Sequence, residues 1–143
     1  VKTYSAKAGE IKRDWWLVDA TDQTPGRLSA KLAMILQGKN KPVYTPHMDT
    51  GDFVVVVNVD KMRITGRKLD QKVYYRHTGY SGGQKATLMR DMMENHPERV
   101  LNHAVKGMLP KNRLSSAQLK KLKVFSGPEH THAAQQPRVL EIK

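Results

Sequence analysis

The 143-residue chain contains no cysteine. That absence excludes a disulfide framework and a thiolate-built zinc site, and it is compatible with a reducing cytoplasm. Long apolar runs are missing as well. No stretch approaches the ~18 residues that a membrane-spanning helix needs, and the first residues lack the apolar segment of a signal peptide. The chain therefore reads as soluble and unexported, and its start at Val1 implies a removed or unrecorded initiator methionine. Two nucleotide-binding signatures are also missing. No glycine loop ends in Gly-Lys-Ser/Thr on a helix, and no strand leads into the glycine spacing of a dinucleotide fold.

Negative charge is scarce and unevenly placed. Lys and Arg number 25 against 13 acidic residues, a formal net charge of +12. Residues 1–60 hold 8 basic and 7 acidic side chains, whereas residues 61–143 hold 17 and 6. From Arg99 to Pro128 seven basic residues occur without an acid. Such a field attracts a polyanion: RNA or DNA first, an anionic membrane surface second. The plain alternative is a cationic surface that only confers solubility. The length fits one domain over residues 1–143, with short terminal extensions on its core. A domain of this size buries roughly 68–70% of its unfolded surface, and the apolar residues are clustered enough to argue against disorder.

The apolar patterning predicts an alternating α/β order. WWLVDA (residues 15–20) reads as a strand, and TPGRLSAKLAMILQG as a helix with Leu28, Leu32, Ile35 and Leu36 on one face. Thr24 suits its N-cap, Pro25 its first turn and Gly38 its end. FVVVVNV (residues 53–59) is apolar at nearly every position, as in a parallel strand covered on both faces. Residues 15–59 thus form one β-α-β unit, expected to be right-handed. A basic extended excursion follows, in which Met62 and Ile64 alternate with Arg63 and Thr65. Helices are expected from about Thr87, carrying Leu88, Met92 and Met93 inward, and from Pro97, with Val100, Leu101, Ala104, Val105 and Met108 on one face. SAQLKKLK reads as a short basic helix with Lys120, Lys121 and Lys123 beside Leu119 and Leu122, and VF as a short strand. The methionines read as core filler.

Several residues invite a chemical role. VYYRHTGYSGGQK (residues 73–85) concentrates tyrosines, glycines and cations. Its glycines permit positive φ and close backbone approach rather than a nucleotide loop. His47, Asp49 and Asp52, with Asp19 at the end of the first strand, could hold a metal for phosphodiester cleavage, although Asp49 and Thr50 equally suit a turn. His130 and His132 lack a third obvious ligand. RNA binding needs fewer assumptions. Tyr74, Tyr75, Tyr80 and His77 offer rings to unstacked bases, and Arg76 can stack or fork onto phosphate. Adjacent strand residues point oppositely, so one of Tyr74 and Tyr75 belongs to the core. The six cations of residues 106–123 favour phosphate contact over a merely solvated face.

VDATDQTPGRLSAKLA, YTPHMDTGD, KVYYRHTGYSGG and AVKGMLPKN…KLKVFSGPEHTHAAQQP, in this order from about Asp14 to Pro137, resemble the bacterial large-subunit ribosomal protein thirteen family. The resemblance implies an α/β fold of three α/β/α layers, with a short, mostly parallel sheet of about four strands and a basic extended excursion. It implies a structural constituent of the large ribosomal subunit that binds large-subunit (23S) rRNA, acts early in assembly and catalyses nothing. It also implies a cytoplasmic monomer within the ribosome, beside neighbouring ribosomal proteins, with no metal, cofactor, membrane or small-molecule substrate. The tracts expected to face rRNA carry Arg67, Lys68, Lys72, Tyr75, Arg76, His77 and Thr78, then Tyr80, Gly82, Gly83 and Lys85. The second tract carries Lys106, Lys111, Arg113, Lys120, Lys121 and Lys123. Arg27, Lys39, Lys41 and His47 also match the family. Pro25 and Ser29 depart from its usual larger apolar residue and alanine, and Ser115 and Ser116 from its usual Gly-Arg pair. The alternatives are a small basic metal-dependent nuclease using His47, Asp49 and Asp52, and a free-standing RNA-binding regulator.

Overall fold

A computed structural model describes residues 2–142. Strand β1 (Trp15–Asp19) leads through helix α1 (Pro25–Gln37) to strand β2 (Phe53–Val57). Pro25 occupies the first turn of α1, where no N–H is required, and Thr24 precedes it in extended conformation without a side-chain cap bond. The helix ends at Gly38, whose N–H returns to the carbonyls of Met34 and Ile35. Leu28, Leu32 and Leu36 point into the core and are almost wholly buried. Short helix α2 (Lys68–Gln71) then opens a hairpin of β3 (Val73–His77) and β4 (Gln84–Leu88). Helices α3 (Met89–Asn95), α4 (Pro97–Met108) and α5 (Arg113–Leu119) follow, and β5 (Leu122–Val124) and β6 (Arg138–Val139) complete the main sheet.

That sheet runs β5-β2-β1-β6, every pair parallel. β2 lies between β1 and β5, and Val54 to Val57 are all buried, which accounts for its apolar residues at successive positions. Val18, Val54 and Val56 join Leu28, Leu32 and the α4 residues Val100, Leu101 and Val105 in the main core. On the other face, Trp15 stacks on Phe53 with ring centroids 4.4 Å apart, and His132 lies 5.2 Å from Trp15. Phe125 meets the same histidine at 5.8 Å, so the segment after β5, with its 3-10 turn Ala133–Gln135, covers this side. The result is the expected α/β fold, a short parallel sheet flanked by layers on both faces.

The structure departs from the periodicity reading at four places. The stretch after β2 is not extended: a 3-10 turn (Val59–Lys61) and α2 occupy it, and the hairpin begins only at Val73. Met62 and Ile64 do face the core, but Arg63 N–H bonds to the Gln23 carbonyl of the loop after β1 rather than to a neighbouring strand. Leu88, expected inward on a helix, pairs with Val73 in the β3–β4 ladder and is 40% exposed, while Met89 takes the buried position. Met108 ends α4 exposed. Finally, α5 stops at Leu119, because Leu122–Val124 pair with the free edge of β2 instead of extending the helix. Lys120, Lys121 and Lys123 therefore do not share a helical face.

Ser29 lies in α1 with its hydroxyl fully buried and without a hydrogen-bond partner. A buried unpaired hydroxyl costs about 1–3 kcal/mol of desolvation. Ser29→Ala removes it with almost no change in shape and should raise stability by about 1 kcal/mol, read as a higher urea midpoint of the free protein. An unchanged or lower midpoint would show that the hydroxyl is satisfied.

Candidate nucleic-acid interface

Two of the candidate cations are committed to bonds inside the fold. Lys121 is 5% exposed, and its Nζ donates to Asp49 Oδ1 at 2.5 Å and to the Leu36 carbonyl at 3.1 Å. Burial pushes its ammonium below the ordinary lysine range, and the Asp49 carboxylate opposes that shift. Lys121 is thus a cap on the C-terminal end of α1, where carbonyls lack helical partners and positive charge is favoured. Lys41 is half-buried and similarly engaged, donating to Asp52 Oδ1 at 2.5 Å and to the carbonyls of Lys12 and Thr50. Both depart from the expectation of phosphate contact, because the sheet edge and the YTPHMDTGD loop enclose them.

The same bonds bear on the carboxylates considered for a metal. Asp52 accepts from Lys41, from the Asp14 N–H at 2.9 Å and from Trp16 Nε1 at 3.0 Å. Asp49 accepts from Lys121 and from the Gly51 N–H. Asp19 accepts from the Thr21 hydroxyl and N–H and from Asn58, and these bonds hold its carboxyl below the usual carboxylate range. Among the described residues no three His, Asp or Glu side chains are grouped to hold a metal ion. His130 Nδ1 instead accepts from the His132 N–H.

Other candidate cations are exposed and fall into groups. In the β3–β4 hairpin the register opposes Arg76 to Lys85 and His77 to Gln84, with all four exposed. The hairpin tip depends on glycine: Gly79 and Gly82 have φ of 90° and 68°, and a Cβ on Gly83 would lie 2.0 Å from Thr78 Oγ1. His77 Nδ1 accepts from the Gly79 N–H, and Tyr80 projects from the tip 80% exposed. Tyr75 is 67% exposed, whereas Tyr74 turns inward onto the core and meets His103 edge-on at 5.4 Å. The strand alternation thus assigns one tyrosine to each side, as expected.

A second group forms where α4 and α5 meet. Lys106, Lys111 and Arg113 line one groove of about 680 Å³ with His103 and Asn112. Asn112 caps α5: its side chain accepts from the Ser115 N–H at 2.9 Å, and Ser115 Oγ returns to the Asn112 N–H. Ser115, a departure from the family pattern, therefore has a local structural role. A third group combines Arg27 of α1 with Lys68 and Lys72. Arg63, Arg99 and His103 line these surfaces too, although periodicity gave no reason to single them out. Lys39 and His47 are exposed but belong to the segment around the end of α1, Lys120 and Lys123 to the β5 side, and Arg67 precedes α2.

Lys121→Ala should cost about 3 kcal/mol, because it leaves Asp49 unpaired in a largely enclosed site. Lys120→Ala, one residue away and exposed, should stay within about 0.5 kcal/mol of the parent. Urea unfolding of both variants checks the contrast, and equal midpoints would refute the buried role of Lys121.

Comparison with known proteins identifies the family. The family model for ribosomal protein L13 matches residues 13–131. Large ribosomal subunit protein uL13 of Chromobacterium violaceum is 60% identical over 142 residues, covering 99% of this chain and 100% of its own. The protein of the same name from Halorhodospira halophila is 58% identical over 142 residues, with the same coverage. That of a Roseiflexus species is 57% identical over 141 residues, covering 99% and 97%. With the family pattern running through sheet, hairpin and helices alike, this chain belongs to the ribosomal protein L13 family.

Proposed function

We propose that this protein is a structural constituent of the large ribosomal subunit, in the cytoplasm, which binds large-subunit rRNA and acts without catalysis. The observation that carries this reading is the 57–60% identity, over nearly the full length, to proteins named as large ribosomal subunit components. The surface supports it. Arg76, His77 and Lys85 on the hairpin, Lys106, Lys111 and Arg113 at the α4–α5 junction, and Arg27, Lys68 and Lys72 beside α1 supply phosphate-binding charge. Lys39, His47, Arg67, Lys120 and Lys123 extend it. Tyr75 and Tyr80 are exposed rings suited to stacking on unpaired bases, and the Thr78–Gly83 tip, including Gly82, lets backbone approach the RNA closely.

The work done is electrostatic. Phosphates that converge in a folded RNA repel one another, and fixed cations displace the counterions that would otherwise screen them. Lys and Arg contacts set affinity, while shape and stacking set location. Such a protein acts early in subunit assembly, when RNA segments are first brought together, and its contacts include neighbouring ribosomal proteins. The nuclease alternative loses its chemistry to the bonds that occupy Asp49 and Asp52.

Binding to a large-subunit rRNA segment should weaken steeply with salt, with log K falling by about 0.7–0.9 per log unit of salt for each phosphate neutralised. Replacing Lys106, Lys111 and Arg113 together by alanine should lower that slope by about 2–3, measured by filter binding. In sucrose gradients the protein should travel with large subunits through a moderate salt wash. A flat salt dependence, or sedimentation apart from large subunits, would overturn the proposal.

A further inference from the structure

The groove between α1, the segment around α2 and α4 differs in chemistry from the rest of the basic surface. Its volume is about 630 Å³, inside the roughly 300–1,000 Å³ range of sites that enclose small ligands. Arg27, Arg63, Lys68 and Lys72 line its rim, and among the described residues no carboxylate lines it. Its floor is apolar, with Ile64, Tyr74, Val100 and Met108 contributing. Chain segments far apart in sequence thus combine a cationic rim with a hydrophobic base.

A rim that only neutralised duplex phosphates would need no such floor. Among the described residues these cations have no strong ionic partner. Arg63 reaches Asp22 only at 3.9 Å with both side chains exposed, a pairing of little strength. Lys72 holds its Nζ 5.3 Å from the Tyr74 ring, so one face of that ring already favours a cation or a flat polar group. His103 supports Tyr74 edge-on and limits its rotation.

We infer that this groove seats one unstacked nucleotide of the rRNA, its base against the Tyr74–Met108 floor and its phosphate among Arg27, Arg63, Lys68 and Lys72. The inference rests on the proposed rRNA binding and adds a specific occupant to it. A nucleotide matches both halves of the site: an anionic phosphate for the rim and a flat, largely apolar base for the floor. Free mononucleotides share that chemistry, and only the covalent attachment to RNA distinguishes the two sources.

The test uses the full chain bound to large-subunit rRNA, with base and backbone reactivity read nucleotide by nucleotide. Met108 lines the groove and is exposed at the end of α4, so Met108→Trp fills the groove without disturbing the core. The wild type should shield one unpaired nucleotide that Met108→Trp exposes again, with protections from the hairpin unchanged and affinity reduced about tenfold. Arg63→Glu, also at an exposed position, should release the backbone of that same nucleotide. If both variants keep every wild-type protection, the groove holds no RNA nucleotide and the inference fails. If free mononucleotides bind the groove at micromolar levels while Met108→Trp leaves the rRNA footprint unchanged, the occupant is a free nucleotide, which also overturns it. Loss of all protection by the wild type would instead refute rRNA binding itself.

Discussion

The end of helix α1 is the constraint on which the rest of the structure depends. Its last carbonyls have no partners within the helix, and each of three is met from elsewhere in the chain. The Asp52 N–H reaches Ile35 at 3.2 Å, Lys121 Nζ reaches Leu36 at 3.1 Å, and the Thr50 hydroxyl reaches Gln37 at 3.4 Å. These contacts need the loop before β2 to lie directly on the helix. Gly51 permits it, since a Cβ there would stand 1.8 Å from the Leu36 carbonyl oxygen. The same loop delivers Asp49 to Lys121 and Asp52 to Lys41 and Trp16. One junction therefore joins α1, β1, β2 and the residue leading into β5.

This junction also divides the charge. The carboxylates it needs are placed inside and paired with two lysines, so they do not weaken the outer field. Of the remaining cations, Arg76 and Lys85 stand on the hairpin, Lys106, Lys111 and Arg113 at the α4–α5 junction, and Arg27, Lys68 and Lys72 beside α1. Arg90 pairs with Asp70 and Arg138 with Asp14, both at exposed positions, where solvent leaves such pairs little energy. An outer surface of that kind exchanges water and counterions for phosphate at low cost. The hairpin adds exposed rings and a glycine tip to the charge, so its surface is shaped as well as cationic.

Much of the fold was readable because local and tertiary preferences agree. β2 announces itself through consecutive valines, which only a strand covered on both faces can bury. α1 announces itself through leucines at helical spacing with Pro25 and Gly38 at its ends. That Tyr74 and Tyr75 point to opposite sides followed from strand alternation; that Tyr74 is the inward one did not. The misread places share a different cause. Lys120, Lys121 and Lys123 look helical until the free edge of β2 takes Leu122–Val124 as a partner. Leu88 looks like a core residue until the ladder with Val73 turns it outward. Arg63 and Arg99 showed in the sequence only as part of its basic runs and His103 not at all, since only packing brings them beside the other cations.

By itself the sequence determined the class of the protein: a basic α/β domain whose apolar blocks, charge asymmetry and long literal motifs identify its family. Periodicity and composition act locally, and those quantities are local. Only the tertiary structure decided which lysines are buried and paired and which remain exposed. That choice depends on where the end of α1 meets the loop before β2, and on which strand edge captures the residues after α5. The charge of Lys121 is legible at any stage; its burial against Asp49 and the Leu36 carbonyl is a property of the assembled fold.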